Sequence, residues 1–375
     1  MHKKTLLVII LLMLLASGCV PTEKPLSRRA VRVALLQGAN AVTLSSGDVL
    51  TVKETRSGRV LSTSRPGKPV ILRLAPRGLN IAGTPYAVQD LRVRSASNQI
   101  SLRGKAYPGS LRILRKRGGL LAVNVVDLDA YLKAVVPSEM PPEWPQEALE
   151  AQAVVSRSFV LSHALRNKDR DFDISSSAQV YDPNRRDQRT DKAVDATRNT
   201  VLFYKGKLLL SYFSTCCGGF TEYASNVWQT EGRFPPPVRC PFCREEPGFR
   251  WRARMSFEEL RRKLRRAGIS GARSIAVHRR SASGGRVTAL KIKSQDGDKV
   301  IKINRFRMTM GPSVIKSGFF NIEAKDGYVT FAGRGWGHGV GMCQRGAKVL
   351  AKRGKSFKSI LQYYFPGART RKMRW

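Results

Sequence analysis

Val135 to Leu165 reads VVPSEMPPEWPQEALEAQAVVSRSFVLSHAL, and the organisation of the chain follows outward from it. A short apolar run comes first, then a bend through Pro137, Ser138, Glu139, Met140, Pro141 and Pro142, then a helix apolar on nearly every side. Proline lacks a backbone donor and fixes φ, so the prolines around Glu139 predict a stiff loop, separate from the following helix, that aims one carboxylate. The helix is expected to begin near Pro145, with Glu147 and Glu150 at its positive end. Leu149, Ala153, Ser156 and Val160 share a stripe, Gln152 and Ser156 lie one turn apart, and two turns with so little charge predict a central, buried helix. Arg157 is the anomaly, because a guanidinium there needs a carboxylate or a cavity. It either pairs with Asp127 or Asp129, or faces a cleft and helps to hold Glu139 or an anionic group on a ligand.

From Val31 to about Val126 the pattern is that of strands. VRVALLQG, GDVLTVKE, KPVILRLA and NQISLRGKAYPGSLRIL alternate apolar and polar residues and break at Gly, Ser, Pro and Asn, which predicts a mostly antiparallel β region. Beyond the helix, the polar loop Ser175 to Tyr181, SSSAQVY, leads to a helix ending before Asn199 and a strand that turns at Gly206. Ser256 and Glu259 make a capping box for FEELRRKLRRAG. Further strands are expected in RVTALKIKS and KVIKINRFRM, joined by a turn at Asp296 and Gly297. The fold class that follows is α+β, mostly antiparallel β with a central buried helix and a cleft between β-rich parts.

The net charge is +40, from 67 Lys and Arg against 27 Asp and Glu, and predicts attraction to a polyanion or an anionic surface. The N-terminus decides which. Lys3 and Lys4 precede an apolar run from Leu6 to Leu15, then Ala16, Ser17, Gly18 and Cys19, the pattern of an export signal rather than a stable span. An exported protein rarely meets DNA, so nucleic acid gives way to the anions of the envelope: phospholipid headgroups, lipopolysaccharide or teichoic acids, and the carboxylates of peptidoglycan. Leu-Ala-Ser-Gly before Cys19 resembles the lipobox of bacterial lipoproteins. That implies lipidation of Cys19, a membrane anchor, and a place in the periplasm or on the outer face of the cytoplasmic membrane. A soluble secreted protein cut near the same point is the alternative. Residues 20–30 then read as a tether.

Cys240 and Cys243 form a C-x-x-C knuckle on a proline turn, and with Cys216 and Cys217 upstream they supply enough thiolates for a tetrahedral metal site. Oxidation to disulfides and retention as free thiols are the alternatives in an exported chain. Gly333 to Gly367 reads GRGWGHGVGMCQRGAKVLAKRGKSFKSILQYYFPG, and six of the fifteen residues from 333 to 347 are glycine. Glycine permits φ > 0 and close approach of a partner, so Trp336, His338 and Gln344 within this bend are candidates for a cleft.

VVPSEMP, WPQEALEAQAVVSRSF, YPGSLRILRKRGGLLAVNVVDLDAY, SSSAQVY, STCCGG and GWGHGVGMCQ together resemble the stage II sporulation protein D (SpoIID) family, to which an amidase-enhancer branch belongs. The match runs from about residue 31 to 368. It suggests a signal at 1–19, a tether at 20–30, a β-rich region at 31–126, a catalytic region at 127–368 and a basic tail at 369–375. The resemblance implies a peptidoglycan lytic transglycosylase with Glu139 as its acid/base. Ser138, Arg157, Gln179, Tyr181, Trp336, His338 and Gln344 are the candidate substrate contacts. Gln179 and Tyr181 suit hydroxyls and a sugar face, and either also suits loop packing. Some members bind zinc near STCGG, which implies a structural zinc on the four cysteines. This chain departs from the pattern with Ser214 where a histidine often stands and with Cys343 in place of serine.

The implied chemistry needs one carboxyl and no cofactor. Glutamic acid protonates the glycosidic oxygen, and its carboxylate then takes a proton from the sugar's 6-hydroxyl as a 1,6-anhydro ring closes. A cleft walled by Pro137, Met140, Pro141 and Trp336 is expected to raise the acid's pKa. The implied partners are peptide-stripped glycan strands and an amidase. The alternative is a non-catalytic, glycan-binding lipoprotein that activates an N-acetylmuramoyl-L-alanine amidase.

Overall fold

The computed structural model describes residues 30–228, 232–295 and 297–374. The export signal, Cys19, the tether up to residue 29 and Asp296 lie outside the described residues.

Two antiparallel sheets fill the first third of the chain. One orders its strands Ile174–Ser175, Ala30–Ala39, Gly119–Asp127, Ser110–Lys116, Asp90–Ser95, Leu50–Glu54 and Val60–Thr63, with only the first pair parallel. The other runs Lys105–Pro108, Gln99–Leu102, Ala41–Ser45, Val70–Ala75, Gly78–Ile81 and Thr84–Tyr86. Alternation sets the faces: Asp90–Ser95 buries Leu91 and Val93 and exposes Arg92 and Arg94. Leu50, Val52, Leu91, Leu111 and Ile113 of one sheet share a core with Leu44, Leu72 and Leu79 of the other.

The helices are α1 (Leu128–Glu139), α2 (Gln146–Arg166), α3 (Gln188–Ala196), a single turn α4 (Ala224–Val227), α5 (Phe257–Arg266), α6 (Ile303–Met310), α7 (Gln344–Lys352) and α8 (Phe357–Tyr364). None of the described helices is long and apolar enough to cross a membrane. Every residue of α2 from Ala151 to Ser162 is buried. Its Ala153, Val160 and Leu161 join the core of the two sheets, while Leu149, Val154 and Val155 join a second core with α7 and α8. A helix covered on all sides has no polar face, which is why its sequence shows no amphipathic stripe.

The bend at Glu139 differs from expectation. Pro137 lies inside α1, and Glu139 is that helix's last residue rather than part of a separate loop. A prolyl φ is compatible with a helix, and at this position the loss is one bond, to the Lys133 carbonyl. Asp127 caps the start by accepting from the backbone N–H groups of Asp129 and Ala130. The stop comes at Met140, extended at φ −136°, ahead of Pro141 and Pro142.

A third core, including Trp251, Leu260, Leu290, Phe306 and Phe331, belongs to residues 250–334. It packs α5 and α6 against two three-stranded sheets, Arg250–Ser256, Tyr328–Arg334, Phe320–Lys325 and Ala272–Arg280, Val287–Ser294, Lys299–Lys302. Ser256 caps α5 by accepting from the Glu259 N–H, as its capping box predicts. KVIKINRFRM divides: Lys299–Lys302 is strand, but the following residues form α6. Its Ile303, Phe306 and Met310 fall on one helical face and are buried.

Candidate active site and cysteine cluster

Two distant segments hold the end of α1. The Glu139 carboxylate accepts a hydrogen bond from the Val180 backbone N–H, Oε1···N 2.6 Å, and the Glu139 carbonyl accepts from Gln344 Nε2 at 3.0 Å. Gln344 Nε2 also reaches Gln152 Oε1 at 3.3 Å, and Gln152 Nε2 donates to Ser156 Oγ at 2.9 Å. These last three side chains are almost wholly buried. The central helix therefore fixes the glutamine that fixes the glutamate.

Burial raises the Glu139 pKa above its ordinary value, and the Val180 N–H opposes that by favouring the anion. The carboxyl lines two cavities. One, of about 440 Å³, lies among Tyr212, Trp228, Met308, Trp336 and His338. The other, of about 540 Å³, lies among Ser138, Pro141, Pro142, Arg185 and Arg186. Among the described residues lining the first cavity, Glu139 is the single carboxylate. The second adds Asp187, which caps α3 and pairs with Arg189. A carboxyl with space on both sides, its pKa raised by burial, can deliver a proton to a bond spanning the two spaces.

The other candidates divide. Trp336 is 37% exposed in the first cavity, with Lys316 Nζ 4.7 Å from its ring centre. His338 lines the same cavity, stacked edge-on against Trp228, its Nδ1 accepting from the Val340 N–H. Burial, then the charges of Arg307 and Arg286, lower its pKa to about 3, so it is neutral. Ser138 lines the second cavity and donates its hydroxyl to the Ala134 carbonyl.

Arg157, Gln179 and Tyr181 are corrected as substrate contacts. Arg157 is 0% exposed. Its guanidinium donates to the carbonyls of Thr197, Thr200 and Val194 at 2.9, 3.2 and 3.1 Å, with Asp129 at 3.7 Å. Burial lowers its pKa to about 10, still charged near neutrality. It ties α2 to the end of α3, and of its two expected carboxylate partners Asp129 is the one present. Gln179 accepts from the Tyr131 hydroxyl, and the Tyr181 hydroxyl donates to Asn124, both in the interior. Their loop meets Glu139 through the Val180 backbone instead. Gln344 lines the first cavity, with its amide nitrogen spent on positioning Glu139. The sequence carries no side-chain signal for Val180, whereas Met308, 53% exposed on α6, is visible as an apolar residue at a polar position.

The cysteines also differ from expectation. Cys217, Cys240, Cys243 and Cys343 place their Sγ atoms within 4.8 Å of one another, all buried, and Cys216 is outside the group. Cys343 arrives because Phe213–Ser214 pairs in parallel with Met342–Cys343. The Cys217–Cys243 separation of 3.7 Å is far beyond a disulfide bond. It matches the edge of a tetrahedron with metal–sulfur bonds of about 2.3 Å, roughly 3.8 Å. The backbone N–H groups of Cys217 and Gly346 donate to the Cys343 sulfur at 3.3 and 3.4 Å, contacts that favour its thiolate form. The donor set fits a four-thiolate metal site.

A family model described as stage II sporulation protein matches residues 116–204, covering α1, α2 and the loop that donates to Glu139. A second, described as a domain of unknown function, matches residues 243–341. An uncharacterised protein of Brachyspira hyodysenteriae is 35% identical over 71% of this chain and 73% of its own. Stage II sporulation protein D of Bacillus subtilis is 27% identical over 70% of this chain and 79% of its own. The amidase enhancer of the same organism is 27% identical over 79% of this chain, which spans 49% of that longer protein.

Proposed function

The chain belongs to the SpoIID and amidase-enhancer family, and from that premise we propose that it is a peptidoglycan lytic transglycosylase with Glu139 as its only acid/base. The observation that carries this is one carboxyl, its pKa raised by burial, on the wall between two cavities. Hydrolysis at a glycosidic bond ordinarily takes two carboxylates. The lining of the first cavity offers one, and the acid of the second is committed to Arg189 and a helix cap.

Glu139, protonated, gives its proton to the oxygen joining N-acetylmuramic acid to the next sugar, and the bond from that oxygen to the muramic C1 breaks. The resulting carboxylate takes the proton of the 6-hydroxyl as that oxygen bonds to C1. The products are a 1,6-anhydro end and a free hydroxyl on the departing sugar, with no water consumed. The substrate is a strand already stripped of peptides, whose lactyl carboxylates suit a chain of charge +40.

Cys217, Cys240, Cys243 and Cys343 would hold a structural zinc, whose part is to brace the segment leading into Gln344. Four thiolates complete its coordination, so it stands outside the proton transfers. The protein is exported and anchored in the cell envelope through lipidated Cys19, which a fusion of residues 1–19 to a reporter tests.

A second reading, favoured by the similarity to a protein named amidase enhancer, is a glycan-binding activator of an amidase without activity of its own. Digestion of stripped strands separates the two. Anhydro ends made by the unaltered protein and lost in Glu139→Gln support the enzyme; strands bound but left intact by both support the activator.

A further inference from the structure

The sheet of Arg250–Ser256, Tyr328–Arg334 and Phe320–Lys325 has unlike faces. Trp251, Met255, Val329 and Phe331 are buried in the third core. On the other face Arg250, Arg252 and Arg254 stand exposed on one strand and Arg334 on the next. The register sets Arg250 directly opposite Arg334, and Arg252 opposite Ala332. Like charges in directly opposed positions repel, and the core on the far side of the sheet does not require them.

Arg280 reaches the same place, its guanidinium on Asn321 Oδ1 at 2.9 Å. With Phe319 and the small residues Ala332 and Gly333, Arg250, Arg252, Arg280 and Arg334 line an open trough of about 670 Å³ that contains no carboxylate among its lining residues. The side chains of Arg250, Arg252 and Arg334 have no acidic partner among the described residues, and Arg334 lies 4.7 Å from the centre of the Phe319 ring. Arg250 and Arg252, two residues apart on a strand, are spaced roughly 7 Å along it. Arg250, Arg252 and Arg334 are thus a row of unspent donors rather than a salt-bridged surface.

We propose that this arginine trough holds a remote length of the same anionic glycan strand that is cut at Glu139, gripping carboxylates on sugars away from the scissile bond. The inference rests on the reading of the Glu139 cleft as a glycan site. Continuity favours it. Arg334 ends its strand in the trough, and Trp336, two residues on, lines the cleft beside Glu139 with Lys316 over its ring. Shape favours it as well, since a concave floor of Ala332 and Gly333 admits a single polymer chain, while a bilayer is flat on this scale and meets only the rim.

The test measures binding of stripped glycan, as tetrasaccharides and as long strands, to Glu139→Gln and to the same protein also carrying Arg250→Ala and Arg334→Ala. The ratio of long-strand to tetrasaccharide affinity is expected to fall about tenfold or more, the scale of lost charge-assisted hydrogen bonds. A ratio unchanged within twofold overturns the proposal. So does an equal fall on long strands whose carboxyls have been amidated. Vesicles of phosphatidylglycerol that bind the parent and not the arginine variant, with the glycan ratio unchanged, overturn it in favour of a membrane contact. Loss of a repelling pair should leave the melting temperature level or higher. If it falls instead, Arg250→Gln and Arg334→Gln, which keep the stems, replace the alanines. Failure of the unaltered protein to make anhydro ends would sink the reading of Glu139 while leaving the affinity ratio measurable.

Discussion

Gln344 donates its side-chain amide to the backbone carbonyl of Glu139 at 3.0 Å, across a separation of 205 residues. The same nitrogen reaches Gln152 on the buried helix. The bond acts on the main chain behind the carboxyl, so it sets where the carboxyl stands without neutralising it. Gln344→Leu, similar in size but without donors, strands the Glu139 carbonyl and the Gln152 amide. Chemical denaturation should show a loss of about 1–3 kcal/mol, and anhydro-product formation should fall roughly a hundredfold, as expected for a displaced catalytic group. Full activity in this variant would show that Glu139 is placed by Val180 alone.

Glu139→Gln should lower the rate of anhydro-end formation by roughly a hundredfold to ten-thousandfold, the range of general acid–base catalysis. Because burial raises the acid's pKa, the unaltered protein should lose activity as pH rises through that raised value. The variant's residual rate should be flat there.

The same shift has a consequence for stability. An acid whose folded-state pKa exceeds its unfolded value favours folding when protonated. Relative to Glu139→Gln, the unaltered protein should have its greatest margin below the unfolded carboxyl pKa and lose it as pH rises through the folded value. Denaturation of both proteins across a pH series measures this. A margin that grows with rising pH would contradict a raised pKa.

Arg157→Met removes a wholly buried guanidinium and leaves Asp129 and three carbonyls short of a donor. Unfolding free energy should drop by about 3 kcal/mol or more. Affinity for glycan, measured below the lowered melting temperature, should be unchanged. Weakened binding with normal stability would restore Arg157 to the cleft.

Elemental analysis should find one zinc per chain, retained in Cys216→Ser and lost in Cys343→Ser. Chelation should lower the melting temperature of the unaltered protein and leave that of Cys343→Ser in place. Zinc held by Cys343→Ser and lost from Cys216→Ser would reverse the assignment of the fourth ligand.

Local signals in the chain were reliable where local physics decides. The alternation that buries Leu91 and Val93 while exposing Arg92 and Arg94, the Ser256 cap of α5 and the start of α2 after Pro145 all depend on near neighbours. Pro137 misled because a helix's last turn tolerates one missing donor, so the prolines that ended α1 were those at 141 and 142. Gln179 and Tyr181 misled because polar side chains of a loop can turn inward when Tyr131 and Asn124 wait there. At the cysteines, five sulfurs gather near one place, and composition does not say that Cys216, although in reach of Cys243 and Cys343, falls outside the group of four.

The chain alone determined the alternating strands of its first third, the starts of α2 and α5, the conspicuous carboxyl at residue 139 and the excess of positive charge, since each is set by residues close together or by a simple sum. Tertiary structure decided that Cys343 completes the thiolate cluster, that Arg157 serves the interior and that Gln344 and Val180 hold Glu139. These are meetings of segments tens to hundreds of residues apart. Which donors face which acceptors there depends on the packing of whole sheets and helices, and no local pattern encodes it.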